Sequence, residues 1–173
     1  RNSRPIRYWP PQPRPEWTPF HIRDVHTCSK FLRNQLEEVV SLHLIADKPV
    51  VCLLSSGLDS ASLTALACQS RQGNISTLTV SLEGDCSTEN IQARRMAQHC
   101  GSQHHELEIK EDDALAWVEE ALTNLEVPSV DTIKPYLISR ALAKEDFKVA
   151  ISSLGSDVLL GSRRNQLYAF RLG

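Results

Sequence analysis

Hydrophobic and polar positions follow two different periods along this chain, and the change of period outlines helices and strands. From about Thr27 to Ala46, apolar residues recur every three or four positions, which predicts an amphipathic helix that Pro49 ends. A short apolar run at 50–54 predicts a buried strand. The good helix formers at 61–67 then predict a second helix directly after it.

The strand–helix order repeats along the rest of the chain. Strands are predicted at 76–82, 104–109 and 148–152, and helices at about 89–100 (ended by Gly101), 111–125 and 133–144. Strands that alternate with helices indicate a parallel sheet covered on both faces. Right-handed crossovers leave few topologies to choose from. The predicted fold class is therefore α/β, with a doubly wound parallel sheet.

Composition narrows the class of protein. The 173 residues and the net charge of −2 fit one domain with a real core. No apolar run approaches the roughly 18–20 residues that cross a bilayer, and the near-neutral charge gives no attraction to nucleic acid. Neither a membrane nor a nucleic acid is expected as a partner. Five widely spaced cysteines predict reduced core thiols and hence a cytoplasmic location.

Residues 1–26 form a separate segment by composition. The first 20 residues carry six prolines, with Tyr8, Trp9 and Trp17 between them, which excludes a helix. We expect an extended lead or interdomain linker lying over the core, rather than a polyproline ligand for a partner. The globular domain is then predicted at 27–173.

Candidate chemistry begins where the first strand ends, at Ser55-Ser56-Gly57-Leu58-Asp59-Ser60. A strand, a tight turn and a helix together direct backbone N–H groups and the positive end of a helix dipole at an anion. The small residues let a phosphate approach the backbone. Asp59 would repel a phosphate unless a divalent cation lies between them. From these residues alone, such a site and an ordinary capped turn stay equally open.

A second polar loop follows the last predicted strand and contains Ser152, Ser153, Gly155 and Asp157. Ligands of parallel sheets bind beyond the carboxyl ends of the strands, near the switch in strand order, so both loops are expected at one edge. Asp59 and Asp157 are therefore candidates for holding one Mg²⁺ and, with it, the phosphates of a nucleotide. The alternative for Asp157 is a helix N-cap at Ser156 or Asp157.

Two other kinds of site have weaker support in the sequence. His99, Cys100, His104 and His105 have zinc-binding side chains, but they span a helix end and a strand start and need not converge. Ser55 or Ser60 as a nucleophile lacks a G-x-S-x-G elbow.

The six-residue loop resembles the S-G-G-x-D-S pyrophosphate loop of the PP-loop ATP pyrophosphatases. Further motifs narrow the resemblance to the synthetase domain of the glutamine-hydrolysing asparagine synthetases. Residues 41–49 resemble the family pattern S-H-L-x-x-D-x-P, and residues 104–106 match H-H-E. Residues 136–140 resemble Y-L-x-S-R, and residues 149–162 match V-x-x-S-G-E-G-x-D-E-x-x-G-G in part. The similarity runs in order from about Ser29 to Gly161.

This resemblance implies a Rossmann-like PP-loop fold that uses ATP and Mg²⁺. Asp59 and Asp157 match aspartates that bind magnesium and pyrophosphate, and they are the implied catalytic residues. Leu54 and Val80 lie where the family clasps adenine with backbone groups. The implied cofactor-binding residues are Leu54, Ser55, Ser56, Gly57, Asp59, Ser60, Val80, Ser152, Ser153 and Gly155.

The implied reaction is the formation of an amide by an AMP-forming ligase. A small carboxylic acid, aspartate in the family, is adenylated with release of pyrophosphate, and an amine then displaces AMP. The implied protein partners are a glutaminase domain, upstream or in trans, and a second copy of the chain.

The chain also departs from the family pattern. Ser56 replaces the first glycine of the loop, and Leu154 and Val158 replace two glutamates that lie near the activated acid. The chain stops at Gly173, before the family's later helical region and its catalytic lysine. Three functions stay open: an amide-forming ligase seen as a fragment or shortened paralogue, a non-catalytic relative acting through protein contacts, and an amide synthetase of the β-lactam or peptide-cyclase type.

Overall fold

The computed structural model of the protein describes residues 24–85, 87–127, 129–145 and 147–161. The elements of these ranges are α1 (Val25–His43), β1 (Val50–Leu53), α2 (Leu58–Ser70), β2 (Ser76–Leu82), α3 (Thr88–Cys100), β3 (Gln103–Ile109), α4 (Glu111–Asn124), α5 (Val130–Lys144), β4 (Val149–Ile151) and α6 (Ser156–Leu160). The chain divides into two units, 1–36 and 37–173. The described part of the first unit is Asp24 and the beginning of α1. Most of the predicted Pro- and Trp-rich lead lies outside the described residues.

The four strands form one parallel sheet in the order β3-β2-β1-β4. In its centre, Val51 of β1 lies opposite Ser76 on one side and opposite Ala150 on the other. The chain runs outward from β1 through β2 to β3 and then returns to place β4 on the other side of β1. The strand order therefore switches between β1 and β4, which is where ligands bind in folds of this class.

Successive strand residues point to opposite faces of the sheet, and different helices cover the two faces. On the face covered by α4 and α5, the buried core residues are Val51, Leu78, Ile109, Trp117, Ala141 and Leu142. On the other face, Leu54 packs against Ala93 and Ala97 of α3. The predicted α/β, doubly wound parallel sheet is confirmed.

The ends of some elements differ from the sequence-based prediction. α1 ends at His43, well before Pro49, and the next residue, Leu44, is buried at 1% exposure. α5 begins at Val130, since the backbone N–H of Ser129 donates to Oγ1 of Thr132 at 2.9 Å and closes the first turn. No helix in the described ranges is long and apolar enough to cross a membrane.

Candidate nucleotide site

The loop after β1 is held in shape by its own serine side chains. Ser60 is 4% exposed, and its Oγ lies 2.8 Å from Oγ of Ser55 and accepts the backbone N–H of Ser55 at 3.1 Å. The backbone N–H of Gly57 donates to Oγ of Ser55 at 3.2 Å. These hydrogen bonds define the backbone conformation of the loop.

The backbone N–H groups in the first turn of α2 form the candidate anion site of this loop. Gly57 is the N-cap residue and has no side chain with which to satisfy the first N–H groups of the helix. A Cβ at Gly57 would lie only 3.3 Å from Oγ of Ser55. Gly57 thus keeps the approach to these N–H groups open. Among the described non-glycine residues, only Gln72 has a left-handed backbone conformation. Ser56 therefore takes the place of the family's glycine without backbone strain.

Leu54 directly follows the end of β1, and Val80 lies in the neighbouring strand β2. The backbone N–H of Leu54 donates to the carbonyl of Leu78 at 2.8 Å, and its carbonyl accepts the hydroxyl of Thr79 at 2.8 Å. The N–H of Leu54 is thus committed to the sheet, and the expectation that backbone groups of Leu54 and Val80 contact adenine stays a prediction. Alternation along a parallel strand directs the backbone groups of Val80 past the end of β1.

The second loop follows β4 and turns at Gly155. Ser152 is exposed, and its Oγ accepts the backbone N–H of Leu154 at 3.4 Å, whereas Ser153 is partly buried. Gly155 has φ of 89° and ψ of −5°, a left-handed conformation that favours glycine, and it is the N-cap residue of α6. The alternative of an N-cap at Ser156 or Asp157 is therefore wrong. Asp157 instead lies exposed in the first turn of α6.

A side-chain hydrogen bond joins the two loops. Oγ of Ser156 lies 2.6 Å from Oδ2 of Asp59, although the two residues are 97 positions apart in the chain. This contact brings Asp59 beside the residue that precedes Asp157, at the switch between β1 and β4. The expectation that both loops lie at one edge of the sheet is confirmed. The roles predicted for the two aspartates as metal ligands stay predictions.

Aliphatic side chains surround this polar centre. Leu58, directly before Asp59, is 80% exposed, and Leu154 and Val158 of the second loop are 79% and 74% exposed. Leu154 and Val158 are the two positions where the sequence departs from the acidic pattern of the family it resembles. The rim of the candidate site is therefore apolar where two carboxylates were expected from the resemblance.

The histidines considered as zinc ligands do not converge. His104 and His105 lie on opposite faces of the sheet: Nδ1 of His104 is 3.0 Å from Oγ1 of Thr77, while the ring of His105 packs edge-on against Phe147. Burial lowers the pKa of His104, although nearby Glu106 opposes this effect. In the described parts of the chain, no three side chains of the metal-binding types come together. Two carboxylates can still suffice for Mg²⁺, because substrate phosphates and water supply its other ligands.

The cysteines in the described ranges are free thiols, and the core ones are protonated. Burial raises the pKa of Cys52 to about 11 and that of Cys68 to about 12. Thiols with such pKa values are poor nucleophiles and poor metal ligands at neutral pH. They are part of the hydrophobic core.

A cavity of about 520 Å³ lies at the opposite edge of the sheet. Its lining includes the first residues of three strands, Val50, Ser76 and Gln103, and the guanidinium of Arg71, which donates to the carbonyl of Leu44. The cavity is therefore separate from the loops after β1 and β4. Arg71 takes part in holding the chain that follows α1.

Comparison with known proteins identifies the family. The family model described as asparagine synthase matches residues 31–171. The chain belongs to the asparagine synthase family. Its relatives include the glutamine-hydrolysing asparagine synthetase of Gallus gallus, 32% identical over 146 residues, and asparagine synthetase B of Escherichia coli K12, 29% identical over 157 residues. These alignments cover 79% and 81% of the chain but 26% and 28% of the relatives, so the chain spans about a quarter of their length.

Solved structures of other enzymes share the fold. An NH3-dependent NAD synthetase from Campylobacter jejuni superposes with a TM-score of 0.51 at 17% identity, covering 76% of this chain and 59% of that one. The NMN synthetase of Francisella tularensis superposes with a TM-score of 0.50 at 15% identity, covering 70% of this chain and 52% of that one. At such identities the likeness concerns the fold alone, and the fold is that of the PP-loop synthetases.

Two residues of the site were missed by sequence reasoning. Ser156, considered only as a helix cap, contacts Asp59, and Thr79 supports the start of the first loop through the carbonyl of Leu54. Ser156 lies between Gly155 and Asp157, in a loop that the sequence analysis had identified, so its place in the site could have been predicted. Thr79 stands in a strand of apolar and hydroxyl residues, and nothing in that pattern distinguishes it.

Proposed function

We propose that this chain is the MgATP-binding part of an AMP-forming, amide-forming ligase of the asparagine synthase family. The observation that carries the proposal is the hydrogen bond between Ser156 and Asp59, which joins the polar loops after β1 and β4 at the switch in strand order. These loops contain the small residues and the two aspartates that suit a nucleotide triphosphate and its cation.

The residues present fit a magnesium–phosphate group. Gly57 leaves the start of α2 uncapped by a side chain, which favours the oxygens of an anion. Asp59 stands in the first turn of the same helix, where a carboxylate and a phosphate together require a cation. Asp59 and Asp157 would hold Mg²⁺, which when bound neutralises phosphate charge. The loop amides and Ser55, Ser56 and Ser60 would hold the pyrophosphate portion.

In the proposed reaction, a carboxylate oxygen of the acid attacks the α-phosphorus of ATP and pyrophosphate leaves. An amine then attacks the acyl carbon, AMP leaves and an amide is formed. The chain's own contribution would be positioning: the α2 amides orient the leaving pyrophosphate, and the backbone of Val80 and the carbonyl of Leu54 contact the adenine. Ser152, Ser153 and Gly155 would border the nucleotide on the other side.

Calorimetry of the 173-residue chain with MgATP tests the nucleotide proposal. We expect binding in the micromolar range, lost in Asp59→Ala and retained in Ser62→Ala, a substitution at an exposed serine of the same helix. Absence of heat with the unaltered chain, checked by fluorescence anisotropy with a labelled ATP, would overturn the proposal. Pyrophosphate release from ATP, with and without aspartate, then tests the ligase chemistry.

A second candidate function is that of a non-catalytic family member that keeps the fold and works through protein contacts. The aliphatic side chains of Leu154 and Val158 favour it, because they can neither transfer a proton nor bind a cation. Pyrophosphate release that stays at background with every carboxylic acid tried, β-amino acids and peptides included, would support this candidate. Release that depends on an acid other than aspartate would instead support an amide synthetase of the β-lactam or peptide-cyclase type.

Several expectations from the sequence stay predictions. Aspartate as the acid, a glutaminase domain upstream or in trans, a homodimer and a cytoplasmic location follow from the family resemblance or from composition. So does the division into a lead at 1–26 and a domain at 27–173. Size-exclusion chromatography with light scattering would test the dimer, since a dimer should elute with twice the monomer mass.

A further inference from the structure

We infer that Ser156 is a positioning residue for Asp59: its hydroxyl fixes one carboxylate oxygen, so that the other faces the cation of the bound nucleotide. This inference rests on the proposed function. Oγ of Ser156 lies 2.6 Å from Oδ2 of Asp59, and it is also 2.7 Å from the carbonyl oxygen of Ser153. The single hydroxyl proton therefore has two acceptors to choose from.

The chemistry of the two acceptors assigns the proton to Asp59. The carbonyl of Ser153 already accepts the backbone N–H of Ser156 at 3.0 Å, as part of the turn before α6. The Asp59 carboxylate carries a charge, and hydrogen bonds to ionised oxygens are about twice as strong as neutral ones. Its distance of 2.6 Å is also typical of an O–H···O⁻ hydrogen bond, which is commonly about 2.5–2.7 Å long.

The environment makes this hydrogen bond an effective constraint. Ser156 and Asp59 are both partly buried, so the bond is sheltered from competing water. The backbone at Ser156 is itself fixed, because Gly155 turns the chain and the N–H of Ser156 is bonded within the turn. The hydroxyl thus has little freedom, and it limits the rotation of the Asp59 carboxylate about its side-chain bond.

The consequence concerns cation affinity more than nucleotide contact. A carboxylate whose Oδ2 is held by Ser156 presents Oδ1 in a fixed direction, and a ligand that is already oriented loses less entropy when it binds a metal. Residues that orient metal ligands in this way typically contribute about 10–100-fold to metal affinity. Loss of the hydroxyl should therefore weaken binding of MgATP and leave binding of metal-free ATP nearly unchanged.

The experiment compares the 173-residue chain with Ser156→Ala by calorimetry, using ATP with Mg²⁺ and ATP with EDTA. We expect Ser156→Ala to weaken MgATP binding about tenfold, with less than a twofold change for ATP in EDTA. Ser156→Thr, which keeps the hydroxyl, should restore most of the loss. Ser62→Ala serves as the control because Ser62 is an exposed serine of α2 outside the site.

Each result has a defined meaning. Equal loss in Mg²⁺ and in EDTA would show that Ser156 only braces the loop, and no loss in either would show that it does nothing for Asp59; both overturn the inference. If Ser156→Ala is too unstable to measure, Ser156→Cys takes its place, because it keeps the size of the side chain but donates only a weak hydrogen bond. It must show the same selective loss with Mg²⁺. An unaltered chain that binds no MgATP removes the proposed function together with this inference.

Discussion

The hydroxyl of Thr79 donates a hydrogen bond of 2.8 Å to the carbonyl oxygen of Leu54, so that β2 supports the first residue of the loop that follows β1. Thr79 is 5% exposed, and its side chain lies on the face of the sheet that α3 covers. The start of the candidate phosphate loop is thus fixed by a residue of a different strand. A buried side chain that is not itself a proposed ligand contact therefore helps to set the geometry of the site.

Replacing Thr79 by valine should lower both stability and nucleotide affinity. The change leaves the carbonyl of Leu54 without this donor, at a cost of about 1–3 kcal/mol in the free energy of unfolding. We expect MgATP affinity to fall severalfold, because the loop loses its anchor at one end. Denaturant unfolding and calorimetry measure the two effects. Thr79→Ser keeps the hydroxyl and should preserve the affinity; if both variants bind alike, the anchor does not influence the site.

Two buried threonines should respond to valine in opposite directions. Oγ1 of Thr64 in α2 is buried without a hydrogen-bond partner among the described residues, so Thr64→Val should raise the free energy of unfolding by up to about 1 kcal/mol. Thr77→Val removes the partner of both Ser102 and His104 and should lower it by about 1–3 kcal/mol. Urea unfolding measures both. Destabilisation by Thr64→Val would mean that this hydroxyl has an acceptor after all.

Two glycines of the site should separate binding from stability. Gly155 has φ of 89° and nothing near its ideal Cβ position, so Gly155→Ala should cost about 1–2 kcal/mol through the backbone alone. Gly57 has φ of −71°, which alanine accepts, but the added Cβ would press on Oγ of Ser55. Gly57→Ala should therefore lose less stability than Gly155→Ala, although alanine is a poorer N-cap residue than glycine, and it should weaken MgATP binding. Thermal unfolding and calorimetry of both variants check this contrast, which a larger stability loss in Gly57→Ala than in Gly155→Ala would contradict.

Stability should fall as the pH is lowered through the range in which histidines titrate. Burial is the main reason that the pKa of His104 lies below its ordinary value. The unfolded chain therefore takes up the proton first, and the free energy of unfolding decreases once the pH drops below about 6.5. The free energy of unfolding, measured with urea at each pH, should depend less on pH between about 7.5 and 5.5 in His104→Asn than in the unaltered chain. His99→Asn, at an exposed position near the end of α3, should retain the wild-type slope; equal slopes in all three proteins would exclude His104 as the cause.

Restoring the acidic family pattern tests the meaning of the apolar rim. Leu154→Glu with Val158→Glu alters two exposed positions, so the free energy of unfolding should change by no more than about 0.5 kcal/mol. We expect aspartate-dependent pyrophosphate release to rise above that of the unaltered chain. Leu159→Glu, at a neighbouring position that is 86% exposed, adds charge without matching the family pattern. An equal rise in this control would assign the effect to charge alone.

The sequence was sufficient for the architecture because local patterns determine it. Apolar runs bounded by turn residues located the strands, and parallel connections then determined that the loops after β1 and β4 share an edge. Element ends were less predictable. The helix predicted at about 133–144 begins three residues earlier, at Val130, because the side chain of Thr132 accepts the backbone N–H of Ser129.

The contacts inside the site were beyond sequence reasoning for a physical reason. The bond between Ser156 and Asp59 joins positions 97 residues apart, and it depends on rotamers that only the packed structure determines. The orientation of the backbone at Leu54 likewise depends on which strand ends first. Residue types in the two loops could be recognised in advance, whereas the hydrogen bonds that arrange them could not.

The two outer strands of the sheet bear on how the chain behaves at high concentration. β3 presents seven residues at one margin, and its Glu106 and Glu108 place charge there, with Arg94 bound to Glu106 through two contacts of 2.8 Å. Among the described residues, β4 forms the other margin and is only three residues long. Charge and brevity both discourage a neighbouring molecule from adding a strand. Each margin thus carries its own safeguard against fibril-like self-association.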